Sequence, residues 1–436
     1  MSKVTVDFNN IIGQIKPMHA VNNGPATLAG CCSNYEYFKE AGIPFVRTHD
    51  SAYLPHYGGE ATVDVHRIFT NFDADENDPK SYKFDFTDIY LKNIASVNAK
   101  TFYRLGASIE HQRKVGTVAP KDFLKWAKIC EHIIMHYTEG WADGFHYDIE
   151  YWEIWNEPDC RYGADGPSSC WTGTDEQFYE FFTVVFKHLK ARFPHLKIGG
   201  PAIASLWSPW LVKDMIKTIK DEKLKLDFFS FHRYAKTPGD FLCDIDEAVR
   251  LMKECNNEDA ELILNEWNYV KQWDGEGFEY SIRTIKNHKG AAFTASVMAV
   301  CQYSPLYMLM YYDARPCAFN GMFDTDYRFP LKGYYPFKMF NELYRMGNSV
   351  EVNSDDENNV FVVAACDDEK SGAMVTYYTD EDNMPDKDVK LEFKDGAEKY
   401  DFYLVDEFHT DELMGEVKSG DTVTLKPNSV AYFKSK

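Results

Sequence analysis

The sequence has no apolar run approaching the roughly 20 residues of a membrane-spanning helix. Its first residues, Met-Ser-Lys-Val-Thr-Val-Asp, lack the apolar segment of a secretory signal. None of its ten cysteines forms a Cys-x-x-Cys pair or a Cys/His spacing typical of zinc sites. Cys130, Cys255 and Cys301 lie in apolar or helical stretches, where a free cysteine packs as a small hydrophobe. We therefore expect a reduced, cytoplasmic protein that needs no metal or other cofactor.

Positive charge is also scarce. The chain has 47 lysines and arginines against 68 aspartates and glutamates, a net charge of −21. Such a chain repels phosphate backbones and anionic membranes, so neither nucleic acid nor a membrane is an expected partner. Aromatic residues make up 16% of the sequence. They are suited to stacking on sugars but equally to packing a core. A small oligosaccharide or glycoside is the expected partner, and a homo-oligomer is left open.

Along residues 1–345, strand-like runs alternate with amphipathic helix-like stretches. The helices include Asp122–Tyr137, Asp175–Arg192, Pro209–Lys220 and Asp244–Cys255. Eight strands alternating with helices predict a (β/α)8 barrel, the TIM-barrel fold of the α/β class. The eight predicted strands are Lys16–Val21, Pro44–His49, Lys100–Gly106, Tyr151–Trp155, Lys197–Gly200, Leu226–Phe231, Glu261–Glu266 and Leu306–Tyr312.

Residues 346–436 have a different pattern, with short alternating runs between acidic turns. This pattern predicts a smaller C-terminal β-sandwich domain, to which Val4–Phe8 could add a strand. The region carries no cluster of Glu, His and Asp, so we expect it to stabilise the barrel. The predicted strands are Val360–Ala365, Ala373–Tyr378, Val389–Phe393, Lys399–Val405, Thr422–Leu425 and Ser429–Phe433.

Two of the barrel strands deliver a glutamate at their ends, Glu157 in Asn156-Glu157-Pro158 and Glu266 in Asn265-Glu266-Trp267. Because a β/α barrel gathers its strand ends on one rim, the two carboxyl groups could face each other there. Glycosidic hydrolysis needs such an opposed pair. The proline biases Glu157 away from helical dihedrals and indicates a sharp exit from the strand. A glutamate that caps a helix is the alternative for either residue alone.

Trp152 and Trp155 flank the first glutamate and admit two interpretations. They could form an apolar wall that raises the pKa of Glu157, as a general acid requires. They could equally belong to the core.

The barrel resembles the clan A glycoside hydrolases, and within them family 39, the family of β-xylosidases and α-L-iduronidases. The resemblance extends over the whole barrel and the C-terminal sandwich. It rests most strongly on Asn156-Glu157-Pro158 and Glu266 in that order. Weaker support comes from Arg47-Thr48-His49, Gly199-Gly200-Pro201 and His232-Arg233-Tyr234.

The resemblance implies a retaining exo-glycosidase that works by double displacement, most similar to a β-xylosidase acting on plant-type oligosaccharides or glycosides. It implies that Glu157 is the acid/base and Glu266 the nucleophile. The other residues it assigns to the substrate site are Asn156 (on the sugar 2-hydroxyl), Tyr234 and Arg47 (around Glu266), and His49 and His232 (lining the subsite). We also expect Trp267 to contact the substrate. For the two histidines, a purely structural role in holding a loop is the alternative.

The sequence departs from family 39 at the eighth strand. The family usually has a tryptophan there, followed by an acidic pair, whereas this chain has Tyr311-Tyr312-Asp313-Ala314-Arg315. Asp313 and Arg315 are therefore candidates for altered substrate contacts, with a salt-bridged loop as the alternative. The sugar could accordingly be an arabinoside, a galactoside or a uronide. Exo action is favoured by the long predicted loops Ser51–Asp85 and Asp159–Asp175, which could close one end of a cleft.

Two other function classes remain open. A non-catalytic carbohydrate-binding relative is disfavoured because both glutamates are present. A metal-dependent barrel hydrolase is disfavoured because no strand end carries a His-x-His pair.

Overall fold

The structure, a computed structural model, describes residues 1–28, 32–49, 63–110, 113–161 and 168–436. Parts of the two predicted cleft loops, residues 51–62 and 162–167, lie outside the described residues. Among the described residues, no helix combines the length and the apolar character needed to cross a lipid bilayer.

Eight parallel strands form a closed barrel in which each strand pairs with the next along the chain, and the eighth pairs with the first. The prediction of a (β/α)8 barrel followed by a β-sandwich is confirmed. The barrel strands, numbered here 1 to 8, are Ala20–Asn22, Phe45–Thr48, Lys100–Leu105, Tyr151–Ile154, Lys197–Ile203, Phe228–Ala235, Glu261–Tyr269 and Met308–Tyr311.

Helices surround the barrel and bury its outer surface. The longest, Asp175–Arg192, begins with a capping box in which the Thr174 and Gln177 side chains satisfy each other's backbone N–H groups. The described helices are Tyr35–Glu40, Val65–Ile68, Asp85–Ser96, Phe123–Thr138, Asp175–Arg192, Val212–Asp221, Gly239–Glu254, Gly275–Ile285, His288–Gln302 and Tyr335–Met346, with short 3-10 helices at Pro79–Ser81 and Lys332–Tyr334.

Apolar side chains fill the lower part of the barrel, and polar side chains occupy its mouth. The apolar layer contains Phe45, Phe102, Tyr151, Phe228 and Ile263, which come from strands 2, 3, 4, 6 and 7. Because successive strand residues point to opposite faces, the residues that follow this layer alternate between the barrel mouth and the helices. This alternation decides which strand-end residues can reach a bound molecule.

The second lobe is a nine-stranded mixed sheet with its own core. Strand Ser2–Gln14 lies inside it, antiparallel to Asn348–Ser354 and parallel to Lys387–Lys394. Phe393 and Tyr400 belong to strands near opposite ends of the sheet, yet their ring centroids lie 4.6 Å apart. The sheet therefore folds over itself as a sandwich. Its remaining strands are Val360–Cys366, Ser371–Tyr377, Tyr400–Val405, Thr410–Val417, Thr422–Leu425 and Ser429–Ser435, and a two-stranded sheet pairs Thr27–Leu28 with Cys32–Ser33.

Candidate active site

The barrel places Glu157 and Glu266 opposite each other at its mouth. Glu157 follows strand 4, and Glu266 lies within strand 7. A carboxylate oxygen of Glu157 lies within 4.8 Å of one of Glu266. Glu157 keeps only 14% of its side chain exposed, and Glu266 is buried. Two carboxyl groups this close and this well shielded from water interact strongly.

The backbone turns sharply at the first glutamate. Glu157 has a φ of 47°, in the left-handed region that non-glycine residues seldom adopt. Its N–H donates to the carbonyl of Ala202 at 2.9 Å, which ties the turn to strand 5. A conformation of this kind costs on the order of 1–3 kcal/mol and persists only where the surroundings enforce it. The sharp exit expected from Pro158 is present, and it aims the carboxyl group across the barrel mouth.

Glu266 is surrounded by groups that favour its ionised form. The Tyr234 hydroxyl donates to Oε1 at 2.6 Å. On the side of Oε2, Arg47 Nη1 lies 3.4 Å away and His49 Nε2 lies 3.3 Å away.

Burial pushes the pKa of the Glu266 carboxyl upward, but the charges of His232, His49 and Arg47 and a hydrogen bond from His49 outweigh it, so that this pKa lies well below its ordinary value. Burial lowers the pKa of His232, which favours its neutral form. We therefore attribute the part of the Glu266 pKa shift that does not depend on histidine protonation to Arg47, whose guanidinium stays charged.

Glu157 is in the opposite condition. Burial and the neighbouring charges of Glu266 and Asp159 raise the pKa of the Glu157 carboxyl well above its ordinary value. His232 Nδ1 lies 2.8 Å from its Oε1 and fixes the orientation of the carboxyl group. His232 Nε2 is buried and has no hydrogen-bond partner among the described residues. The pKa values of the two carboxyl groups are therefore shifted in opposite directions, upward for Glu157 and downward for Glu266.

Arg47 organises the floor of the site. Its Nε donates to Glu153 at 2.8 Å, its Nη1 to the Asn22 side chain at 3.0 Å, and its Nη2 to the Asn156 Oδ1 at 2.7 Å. Arg47 and Glu153 are completely buried and form an ion pair at 2.7 Å. Because Arg47 occupies the acceptor end of the Asn156 amide, the amide nitrogen is the end of this group that can donate to a further partner.

The structure brings seven of the predicted residues together: Glu157, Glu266, Asn156, Arg47, Tyr234, His49 and His232. It places Trp267 elsewhere. That side chain is fully buried, and its ring packs against Phe241, Phe293 and Tyr311. Adjacent strand residues face opposite ways, so a Glu266 that points into the mouth sends Trp267 into the helix layer. The prediction of Trp267 as a substrate contact is corrected on this ground.

Asp313 and Arg315 form a salt bridge with each other. The Arg315 guanidinium lies 3.1 Å from Asp313 Oδ2, and the Arg315 N–H donates to Asp313 Oδ1. Asp313 is fully buried. This is the geometry of the salt-bridged loop, and a role for either residue in substrate binding remains a prediction.

The two tryptophans beside Glu157 belong to the core. Trp152 stacks on Tyr103 with centroids 4.8 Å apart, and Trp155 packs against Trp171 at 5.1 Å. Neither forms the apolar wall considered from the sequence. The raised pKa of Glu157 comes from general burial and from neighbouring negative charge instead.

Sequence reasoning missed Glu153, which anchors Arg47, together with the residues that hold it. Ser230 Oγ donates to Glu153 at 2.6 Å, and the Asn265 amide donates to the same oxygen. A usable signal was present, because a charged residue inside the apolar run Tyr151–Ile154 has to be paired when buried.

Reasoning from motifs also missed an aromatic cluster beside Tyr234. The exposed Trp273 ring lies 4.9 Å from that of Tyr234, and Phe319 lies 5.9 Å from it. Tyr312 adjoins the same group, with its ring 5.7 Å from His49. These rings form an apolar face next to the nucleophile candidate.

Within the described part of the chain, Glu157, His232 and Glu266 are close enough together to share a metal ion. The Arg47 guanidinium beside Glu266 and the Tyr234 hydroxyl already supply positive charge and a hydrogen bond there. A divalent cation would compete with that fixed charge, so these residues fit a metal-free carboxylate pair better than a metal-dependent hydrolase.

Comparison with known proteins identifies the family to which this chain is related. The model of the family described as "Glycosyl hydrolases family 39" matches residues 29–266, more than half of the chain and a stretch that includes both glutamates. The chain belongs to glycosyl hydrolase family 39. The family resemblance inferred from the sequence motifs is thereby confirmed.

Two curated relatives of this family 39 chain are β-xylosidases. The one from Geobacillus stearothermophilus is 25% identical over 184 residues, which cover 39% of this chain and 34% of the relative. The one from Caldicellulosiruptor saccharolyticus is 23% identical over 250 residues, which cover 53% of this chain and 46% of the relative. The matches thus span only a third to a half of the length of these relatives.

Solved structures resemble the family 39 chain along its full length. A glucosidase from Croceicoccus marinus superposes with a TM-score of 0.79 at 20% identity, covering 100% of this chain and 98% of that one. A monomeric β-xylosidase from Caulobacter crescentus CB15 superposes with a TM-score of 0.71 at 14% identity, covering 100% and 99%. At these identities the likeness establishes the shared architecture of barrel and sandwich.

Proposed function

We propose that this chain is a retaining glycoside hydrolase that works by double displacement. The observation that carries the proposal is the close approach of Glu157 and Glu266, with carboxylate oxygens within 4.8 Å. Retaining enzymes hold their carboxyl groups about 5–5.5 Å apart, whereas inverting enzymes need about 6.5–9.5 Å to admit a water. The separation fits direct attack by one carboxylate on the sugar.

The opposite pKa shifts of the two carboxyl groups assign the roles. Glu266 is ionised and attacks the anomeric carbon, while Glu157 gives its proton to the departing oxygen. Once Glu266 is bound to the sugar it no longer carries a negative charge. The pKa of Glu157 then falls, since a neighbouring charge that raised it is gone, and Glu157 can take a proton from water in the second step.

Neighbouring groups orient the sugar and the nucleophile. Asn156, held by Arg47, donates to the 2-hydroxyl, a contact that strengthens as the oxocarbenium-like transition state forms. His232 Nε2, which has no hydrogen-bond partner among the residues that the structure describes, is a further polar contact for the sugar. Tyr234 steadies the Glu266 carboxylate and carries the aromatic face of Trp273 and Phe319, on which a sugar or an aryl aglycone can stack.

The proposed substrate is a β-xyloside or a related plant-type glycoside, cleaved in the exo mode. Its support is the β-xylosidase name of both curated relatives. A different sugar is the second candidate, because the chain places Tyr312, the buried Asp313 and the partly exposed Arg315 where family members usually have a tryptophan and an acidic pair. We also propose, from the sequence alone, a cytoplasmic enzyme without a cofactor and without nucleic-acid or membrane partners.

A panel of aryl glycosides tests the proposal, with xyloside, arabinoside, glucoside, galactoside and uronide compared by kcat/KM. We expect the xyloside to be the best substrate. Proton NMR of the first-formed sugar then reports the anomer, which should match the configuration of the substrate. A product of inverted configuration would exclude the double displacement. If no member of the panel is hydrolysed, glycosidase activity toward these sugars is excluded.

A further inference from the structure

Two cysteines lie against the proposed acid/base. Cys160 follows Glu157 by three residues, and Cys170 lies ten residues further along the chain. The two Sγ atoms and a Glu157 carboxylate oxygen all lie within 4.8 Å of one another. Cys170 Sγ is 4.0 Å from Glu157 Oε2, and Cys170 is fully buried. The mechanism described above uses neither thiol.

Hydrogen bonds hold the backbone of both cysteines in this position. The Cys160 N–H donates to the Glu157 carbonyl at 3.0 Å, and the Ser169 N–H donates to the Cys160 carbonyl at 3.1 Å. The Trp155 indole donates to the Cys170 carbonyl at 2.9 Å. The cluster is therefore held by the same turn that orients the Glu157 carboxyl group, and its geometry is preformed.

The donor set of two sulfurs and one carboxylate oxygen matches a thiophilic cation. Zinc binds cysteine sulfur at about 2.3 Å and carboxylate oxygen at about 2.0–2.2 Å, which places tetrahedral sulfur ligands about 3.8 Å apart. The present separations, at most 4.8 Å, require a contraction of about 1 Å or less for such an ion. Magnesium and calcium prefer oxygen ligands and do not fit.

We propose that Cys160, Cys170 and Glu157 form a binding site for a thiophilic divalent cation such as Zn²⁺ or Cd²⁺, and that an ion held there inhibits the enzyme. Binding forms two metal–sulfur bonds and one metal–oxygen bond, and the two thiol protons and the Glu157 carboxyl proton pass to the solvent. Nothing is oxidised or reduced. A Glu157 oxygen bound to the ion cannot carry the proton that the leaving group needs; this inhibitory part rests on the proposed function.

Cys170 is the more deeply buried of the two cysteines. A hydrogen bond with Cys160, burial and the neighbouring charge of Glu157 raise the pKa of the Cys170 thiol well above its ordinary value. A ligand that occupies the site has to bond to sulfur strongly enough to displace a thiol proton. The relation to metal is thus inhibitory, the reverse of a metal-dependent hydrolase.

Cadmium titration of the purified enzyme tests binding directly, because cadmium–thiolate bonds absorb in the ultraviolet. We expect a charge-transfer band that saturates at one ion per chain and is lost in a Cys160→Ser/Cys170→Ser double variant. Cys243→Ser is the matched control, since Cys243 is an exposed cysteine on the helix Gly239–Glu254. This control should bind cadmium as the wild type does. A band of equal size in the double variant, or no band in the wild type, would overturn the site.

Activity tests the inhibitory part separately. Each protein is compared with its own metal-free rate, so that any effect of the substitution itself cancels. We expect the concentration of Zn²⁺ or Cd²⁺ that halves the rate to rise at least tenfold in the Cys160→Ser and Cys170→Ser variants, and a chelator to restore the wild type. Full activity with one cadmium bound per chain would refute inhibition while leaving the binding site intact. Failure of every glycoside in the panel would count against the proposed function alone.

Discussion

Replacement of Arg47 by lysine tests how the floor of the active site works. The guanidinium donates in four directions, to Glu153, Asn22, Asn156 and Glu266. A lysine ammonium keeps the positive charge but offers three donors from a single point, so it cannot reproduce this fork. We expect it to retain the buried Glu153 contact, because leaving that carboxylate unpaired is the costliest choice.

The loss then falls on two of the remaining contacts. Hydrogen bonds of this kind contribute about 0.5–1.5 kcal/mol, and those to charged groups about 1.5–3 kcal/mol, so two of them amount to about 3 kcal/mol. If that free energy is lost from the transition state, kcat/KM falls on the order of a hundredfold. The physical reason is that Asn156 and Glu266 are no longer held at their present angles. Steady-state kinetics on the best aryl glycoside of the panel measure the effect.

Arg104→Lys is the matched control. Arg104 is also fully buried and ion-paired, with Nη2 at 2.7 Å from Asp64 and 3.0 Å from the carbonyl of His49, but it touches neither glutamate. Both variants should lower the thermal midpoint, and only Arg47→Lys should lower kcat/KM a hundredfold. A kcat/KM for Arg47→Lys within threefold of the Arg104→Lys value would show that the fork does not position the catalytic groups.

Three further outcomes are expected. In the wild type, activity should fall as pH rises through the raised pKa of Glu157, because the acid is then deprotonated, and Glu157→Ala should abolish this alkaline fall. The rate of Glu157→Ala should drop about 10²–10⁴-fold more on substrates with poor leaving groups than on those with good ones. Equal losses on both, measured with a Brønsted series of leaving groups, would remove Glu157 from the acid role. Gly199→Ala should lower the urea midpoint sharply, because its Cβ would lie 2.2 Å from the Phe228 carbonyl, whereas Gly239→Ala, which meets nothing within 4 Å, should not. Trp267→Phe should lower the thermal midpoint with KM unchanged within twofold, and a large rise in KM would return Trp267 to the substrate site.

The barrel strands were predictable because each is an apolar run between turn signals, but their ends were not. Strand 1 begins only at Ala20 rather than at Lys16, since Pro17 lacks an N–H for the ladder. Strands 6 and 7 continue past their predicted ends, to Ala235 and Tyr269. Backbone pairing between the two strands continues through the polar residues at these ends. A search for apolar runs misses those residues because their side chains are the polar ones of the active site.

In the sandwich, Asn348–Ser354 and Thr410–Val417 escaped prediction for a similar reason. Thr410–Val417 is mostly exposed and acidic, with only Val417 buried, and so lacks an alternating apolar face. Strand Asn348–Ser354 has three polar residues among its last four. Thr410–Val417 pairs with the preceding strand Tyr400–Val405, whereas Asn348–Ser354 pairs with the distant strand Ser2–Gln14. Neither pairing is marked by an apolar pattern within the strand itself.

The site was predictable to the extent that motifs mark it. Glu157 follows strand 4 and Glu266 lies in strand 7, each in a recognisable motif, and the structure brings a carboxylate oxygen of each within 4.8 Å of the other. The error at Trp267 came from reading a motif as a unit, although its neighbouring side chains point to opposite faces. The pair of Cys160 and Cys170 was invisible, because their nine-residue spacing forms no recognised metal motif and only the folded turn brings the sulfurs together.

The strand Ser2–Gln14 couples the two lobes during synthesis and folding as well as in the folded molecule. Its neighbours, Asn348–Ser354 and Lys387–Lys394, lie on the far side of the whole barrel in sequence. A ribosome must therefore deliver residue 394 before this strand is flanked on both sides, and until then Val4, Val6 and Phe8 have no core to enter. Cleavage after residue 345 would leave the N-terminal fragment with the unpaired strand Ser2–Gln14, and the C-terminal fragment with a sheet that lacks this strand. A permuted gene that begins at residue 348 and passes through Ser2 after the sandwich would turn this late, long-distance pairing into an early, short one.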